Sequence, residues 1–283
     1  MSRTPRKLVR TLLSSLIAMA VATPIVGWLN AAPSGAAPRR LVIIVMENHE
    51  RSDIVHSSSA PYMNSLRARG IDFTNYVGVA HPSLPNYLAL ASGSTNGKSG
   101  SDSIHAGEIS GVTTVWNQLE NRGIGWRVYE EGMPWTCYGG ATSGRYALRH
   151  NPAVPFSSVY QQNAACQHVQ RYAIGAPLAT VTFITPDLCH DMHNCSIASG
   201  DDWLRNNVPR MIQSGATVVI TFDEGDSSTG GGGNIYTVVA GTGIAHRVVG
   251  ARYNHYSLLA AIEHRYGLPL LKNAAWAARL PLS

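Results

Sequence analysis

Charged and amide side chains follow three apolar runs of this chain. Glu47 and Asn48 come after "LVIIVM" at 41–46, Asp187, His190, Asp191 and His193 after "TVTFIT" at 180–185, and Asp223, Glu224 and Asp226 after "TVVITF" at 217–222. A single carboxylate in such a place is commonly a helix cap or a solvated loop residue. Three such clusters in a chain with only 17 acidic residues among 283 are harder to attribute to capping. Oxygen-rich sets of this kind suit a divalent cation, and a nearby histidine pair suits a second metal or proton transfer. A fourth feature is "HPSLPNYLAL" at 81–90. Pro82 and Pro85 restrict the backbone before and just inside a helix start, and Ser83 between them has its hydroxyl at the positive end of that helix. An ordinary N-cap serine is one reading. A nucleophile beside metal-holding carboxylates is the other.

The elements that must position these residues follow from periodicity. The three apolar runs do not alternate with polar residues, which fits strands buried on both faces of a parallel sheet. "WRVYEE" and "IYTVVAG" add two more strands, and helical patterns fall at 62–70, 114–123, 200–215 and 255–267. Strands alternating with helices imply βαβ units, hence an α/β fold with a doubly wound, mostly parallel sheet and helices on both faces. The strand C-termini of such a sheet line one crevice, so the three clusters should meet. Residues about 130–178, rich in Gly, Pro, Ser and Cys, read as a loop-rich insertion over the sheet edge within a single domain spanning 38–283. The run "GGGG" at 230–233 lacks the lysine of a phosphate loop and reads as a flexible connector. Trp203 reads as a core aromatic.

Arg3, Arg6, Lys7 and Arg10 precede an apolar run from Leu12 to Trp28 and then small residues to Ala37, the pattern of a secretory signal over 1–37. The run, about 17 residues, is at the lower limit for a membrane span, so a retained anchor is the alternative. Nothing later in the chain resembles a span. Without the leader, 18 basic residues face 17 acidic ones, near +1, and no basic cluster of the kind nucleic-acid binding needs is present. Four cysteines in an exported chain read as two disulfides with three possible connectivities. Spacing favours Cys189–Cys195 and Cys137–Cys166, a zinc site being the competitor.

The blocks "VMENH", "APYMNSLRARGIDFTNYVGVAHPSLPNYLALASGST", "DMHNCSIASGDDWL", "TFDEGD" and "YNHYSLLAAIEHRYGLP" resemble, in order, the bacterial phosphoesterase family of secreted acid phosphatases and phospholipases C within the alkaline phosphatase superfamily. At this length the resemblance is closest to the small acid phosphatases. It implies a metal site of Glu47, Asn48, Asp223 and Glu224, with Ser83 as nucleophile and Asn86 donating to a phosphoryl oxygen. Asp191, His193 and His255 match the remaining positions, as ligands of a second metal or as groups that bind phosphate and protonate the leaving oxygen. Asp187 and His190 sit beside them. His81 is either a phosphate contact or a turn residue. His49, His105, His150, His168, His246 and His264 read as surface or structural. Tyr87 stands where the longer phospholipases carry an arginine, which favours the phosphatase branch.

The expectation is therefore a secreted, monomeric phosphomonoesterase that forms a phosphoserine at Ser83 and uses one divalent cation, or two. Its substrate would be a phosphorylated small molecule or a phospholipid, phosphoinositides included. Phospholipase C or another phosphodiesterase activity is the alternative. A serine esterase is disfavoured by the absence of a G-x-S-x-G elbow.

Overall fold

The computed structural model describes residues 1–2 and 40–283, so the leader expected over 1–37 lies, from residue 3 onward, outside the described residues. Among the described residues no helix is long and apolar enough to cross a membrane. The strands are β1 (Leu41–Met46), β2 (Ile71–Phe73), β3 (Tyr76–Val77), β4 (Trp126–Glu130), β5 (Thr142–Ser143), β6 (Tyr146–Ala147), β7 (Val169–Arg171), β8 (Val181–Thr185), β9 (Thr217–Phe222), β10 (Thr237–Ala240), β11 (Arg247–Val249) and β12 (Tyr253–Asn254). Eight of them form one sheet in the order β11-β2-β10-β9-β1-β8-β4-β7. From β9 to β7 every pairing is parallel, whereas β10 runs antiparallel to both β9 and β2. The expected α/β architecture with a mostly parallel sheet is what forms.

All six residues of β1 and all six of β9 are buried, as their unbroken apolar sequences require of strands covered on both faces. The helices are α1 (Arg51–Ile54), α2 (Pro61–Arg67), α3 (Leu84–Ser92), α4 (Val115–Asn121), α5 (Ser157–Tyr160), α6 (Asn163–Cys166), α7 (Ile197–Gln213) and α8 (His255–Arg265). Helix α2 packs on α7, and α3 packs on α8 and α4. Trp203 is buried in α7 against Tyr172.

Three details go beyond the sequence reading. The segment expected as an insertion supplies β7, which pairs with β4 as the last strand of the sheet. Strand β2 is only three residues long and carries a buried Asp72. That charge is accommodated because Arg51 and Arg67 reach its carboxylate at 2.8 and 3.2 Å. The glycine run is not a free connector, because it packs against the loop that leads to Ser83. A Cβ on Gly232 would lie 2.7 Å from the carbonyl oxygen of Ala80, and one on Gly78 would lie 2.4 Å from that of Gly232. Two backbones approach here so closely that side chains are excluded.

Candidate active site

The sheet register brings the first two clusters of residues together. Met46 at the end of β1 lies beside Phe222 at the end of β9 in a parallel pairing, so Glu47 and Asp223 emerge side by side. On the other flank of β1, the backbone N–H of Glu47 donates to the carbonyl of Asp191 at 2.9 Å, which carries the third cluster to the same edge. Asn48 adopts a left-handed conformation (φ 53°), and its N–H donates to Asp223 Oδ1 at 3.2 Å. Asparagine tolerates that backbone region better than most residues.

Ser83 is the residue before α3, but its side chain makes no capping bond. The first free N–H of the helix, that of Leu84, is instead accepted by Asp102 Oδ1 at 2.9 Å. Pro85 has no N–H and the N–H of Asn86 goes to the Ser83 carbonyl at 2.9 Å, so the hydroxyl of Ser83 caps neither; it donates to Glu47 Oε2 at 3.0 Å, with Glu224 Oε1 at 3.4 Å. Ser83 is only 2% exposed, yet what surrounds its oxygen is a set of carboxylates rather than apolar packing.

Glu47, Asp191, Asp223 and Glu224 are all buried. Burial, reinforced by the charges of Asp223 and Asp191, pushes Glu47 well above the usual carboxylate range. Burial and the charge of Glu224 do the same to Asp223. Burial raises Asp191 to about 8, with Asp223 adding to it, and burial together with Asp102 raises Glu224 to about 8. Buried like charges this close resist ionising together, and a cation among them would relieve the conflict. Two carboxylate oxygens of the group, Asp191 Oδ2 and Asp223 Oδ2, are buried without a hydrogen-bond partner among the described residues, as is His150 Nε2. Donor atoms left open in this way, oxygens with an imidazole nitrogen, fit a divalent metal ion.

His150, read from the sequence as surface or structural, lies beside Glu47 and Asp191. It sits in a 3₁₀ turn, Leu148–His150, directly after the β5–β6 hairpin. The residue is 2% exposed, with Nε2 3.4 Å from Glu47 Oε2 and Nδ1 3.6 Å from Asp191 Oδ2. Burial, with Arg149 and His193 nearby, lowers its pKa well below that of a free imidazole. Donor atoms of Glu47, His150 and His193 all lie within 4.8 Å of one another. Tyr87 stacks on the His150 ring, with centroids 5.5 Å apart, and its hydroxyl donates to Glu47 Oε1 at 2.5 Å.

Three of the residues expected at the site bond to protein groups. Asn86 is fully buried, and its side-chain oxygen accepts from the N–H groups of Val79 and Ala80 while its nitrogen donates to the carbonyls of Ala80 and Pro82. These bonds fold the loop before Ser83. His255 is fully buried; its Nε2–H donates to the carbonyl of Asp223 at 2.5 Å, and its Nδ1 accepts from the Tyr76 hydroxyl at 3.2 Å. Burial lowers its pKa to about 4, against the hydrogen bond to Asp223. Through these two bonds it holds the backbone of Asp223. His81 uses both nitrogens as well, on Glu224 Oε2 at 2.7 Å and on the carbonyl of Ser227 at 2.9 Å.

His193 is half-buried, with Nδ1 2.7 Å from Asn194 Oδ1 and Nε2 3.4 Å from Arg149. Asp187 and His190 form a separate group with Glu131, His190 Nδ1 lying 2.9 Å from Glu131 Oε2, and they do not contact Ser83. Both expected disulfides are formed, Cys137–Cys166 and Cys189–Cys195, and the second closes the loop that carries His190, Asp191 and His193.

Known proteins resemble this chain in sequence and in fold. A family model described as the phosphoesterase family matches residues 27–269. The chain is 31% identical over 271 residues to a phosphatidylinositol-3-phosphatase of Mycobacterium tuberculosis, covering 90% of this chain and 88% of that one. It is 28% identical to a phosphate-repressible acid phosphatase of Penicillium chrysogenum, covering 84% of this chain and 61% of the fungal protein, so it spans about three-fifths of that relative's length. Among solved structures, a Vibrio parahaemolyticus protein in the alkaline phosphatase superfamily superposes with a TM-score of 0.55 at 11% identity, covering 87% of this chain and 71% of that one.

Proposed function

Since the chain belongs to the phosphoesterase family and is a phosphoric ester hydrolase, we propose that it is an exported acid phosphatase that cleaves phosphomonoesters through a phosphoserine at Ser83. Phosphoinositide headgroups fall within its substrate range. The observation that carries this reading is the Ser83 hydroxyl, freed from capping its own helix and donating to Glu47 with Glu224 alongside.

The site has two flanks of opposite character. Glu47, Asp223 and Glu224 form an acidic flank around Ser83, with Asn48 tied to Asp223, and these residues would hold a divalent cation. The other flank carries the positive charge of Arg149, and Arg149 with His193 beside it receives the phosphate. When bound, the cation supplies charge neutralisation for the phosphoryl oxygens and lowers the pKa of the serine.

In the reaction the Ser83 proton passes to a carboxylate it already faces, Glu47 or Glu224, while Oγ attacks phosphorus. The Oγ–P bond forms as the bond from phosphorus to the ester oxygen breaks. His193 gives a proton to the departing alcohol, as the one imidazole of the group that is neither sealed in the interior nor held at both nitrogens by protein oxygens. Water then attacks the phosphoserine, releasing orthophosphate and restoring the Ser83 hydroxyl. Export is supported by the leader pattern and by two disulfides, which persist in oxidising compartments.

The test uses protein produced from residue 38 onward and assayed with and without a chelator on an aryl phosphate, an aryl phosphorylcholine and an aryl acetate. The aryl phosphate should be hydrolysed best, with activity lost on chelation and restored by a divalent cation. Ser83→Ala should lower kcat at least about a thousandfold, and Asp223→Ala should abolish the response to added cation. Turnover of the acetate alone would overturn the phosphoryl-transfer reading, and preference for the choline ester would replace the phosphatase by a phospholipase C.

A further inference from the structure

Among the described residues, one arginine and no lysine lies within bonding range of the groups around Ser83. Arg149 places Nη2 3.4 Å from His193 Nε2 and Nε 3.5 Å from Asp102 Oδ2, and its side chain is 24% exposed. The backbone that carries it is fixed by its neighbour, because His150 is inserted between Glu47 and Asp191. Asp102 has a second attachment: its Oδ1 accepts the N–H of Leu84, the first residue of the helix that follows Ser83. One carboxylate thus ties the guanidinium to the start of the nucleophile's helix.

We propose that Arg149 is the residue that recognises a phosphomonoester by binding its third non-esterified oxygen, and that Asp102 is the positioning residue that aims it at Ser83. This assignment deepens the phosphatase reading and rests on it. A monoester presents three free oxygens, and above its second pKa, near 6, it carries two negative charges. A diester presents two free oxygens and one charge. A guanidinium, planar and permanently charged, grips such a group through two parallel N–H donors, which an ammonium cannot do. The long contact to His193 is a weak one for Arg149 to exchange for a phosphate oxygen. The surrounding acids, Glu47, Asp191, Asp223 and Glu224, would repel a dianion, so a fixed positive charge on this flank is what allows it to approach. Arg149 then discriminates by charge and oxygen count at a point away from the alcohol that departs.

The experiment measures kcat and KM at pH 7 on an aryl phosphate and a bis-aryl phosphate, with inhibition by inorganic orthophosphate, for the wild type, Arg149→Ala, Arg149→Lys and Asp102→Asn. Arg149→Ala should lower kcat/KM on the monoester by about a hundredfold, the scale of losing one preorganised donor. It should lower the monoester-to-diester ratio at least about tenfold and weaken inhibition by phosphate. Arg149→Lys should recover part of the KM without restoring the ratio. Asparagine caps a helix as well as aspartate does, so Asp102→Asn should keep the fold. It should move the ratio the same way by a smaller factor. Equal losses on both esters, or an unchanged ratio in Arg149→Lys and Asp102→Asn, would overturn the assignment while leaving the phosphatase intact. A wild type inactive on both esters would instead overturn the phosphatase reading and this one with it.

Discussion

At the residue scale, the site depends on side chains that touch no substrate. Tyr87 donates its hydroxyl to Glu47 Oε1 while Ser83 uses Oε2, so both oxygens of one buried carboxylate are held in fixed directions. Tyr87→Phe keeps the ring stacked on His150 and removes only the hydroxyl. It leaves a buried acceptor unmet, at a cost of about 1–3 kcal/mol. A carboxylate that has lost its orientation holds a metal less well, by about 10- to 100-fold where comparable supports have been removed. The expected outcome is a lower melting temperature and a rise in the divalent cation concentration that gives half-maximal activity, with KM for the aryl phosphate little changed. An unaltered cation requirement in a folded Tyr87→Phe protein would show that Glu47 does not depend on this bond. Tyr87, His150, Arg149 and Asp102 were not legible as site residues for a common reason. None follows an apolar strand, and each acquires its role from a contact with a residue distant in the chain. Glu47 and Asp223 were legible because a strand end is visible in sequence and a parallel register forces neighbouring strand ends together.

At the scale of elements, the two disulfides serve different ends. Cys189–Cys195 spans 6 residues and Cys137–Cys166 spans 29. Closure of the shorter loop stabilises the fold by about 2 kcal/mol and closure of the longer by about 4 kcal/mol in the chain-entropy account. The short loop carries Asp191 and His193, and Asp191 is joined through its backbone to Glu47. The long one ties α6 to the segment after β4. A crossed result is therefore expected. Cys189→Ser/Cys195→Ser should lose activity with a modest fall in melting temperature and unchanged far-ultraviolet circular dichroism. Cys137→Ser/Cys166→Ser should lose more melting temperature and keep more of its specific activity at 20 °C. Equal effects from the two pairs would mean that the short bridge has no special hold on the site. The glycine run shows where element-level reading fails. Four glycines suggest freedom when only the sequence is seen, and the close approach of Gly78 and Gly232 that requires them exists only in the folded chain.

At the scale of the whole molecule, the long strands of the sheet were legible because burial on both faces leaves an uninterrupted apolar run. The short strands β2, β7 and β11 were not, since three residues carry no periodicity and β2 contains a charge that becomes tolerable only beside Arg51 and Arg67. The same dependence on the finished fold gives the molecule a pH response outside its site. Glu263, two turns along α8 from His255, is fully buried; one oxygen accepts the N–H of Leu271 at 3.0 Å and the other has no hydrogen-bond partner among the described residues. Burial raises its pKa to about 8. In the unfolded chain the same group titrates near its ordinary value of 4.5. Below that pH both states hold the proton and Glu263 contributes nothing to the slope. Between 4.5 and 8 the folded state holds a proton that the unfolded state has released, so stability falls as pH rises, and it levels off above 8. The site carboxylates are unsuitable for this test because a bound cation inverts their titration. Glu263→Gln keeps an oxygen for Leu271 and removes the charge. Its melting temperature should exceed that of the wild type by several degrees at pH 8.5, and the gap should close toward pH 4.5, with activity on the aryl phosphate retained at both. A gap that is constant across this range would show that Glu263 does not hold its proton in the folded protein.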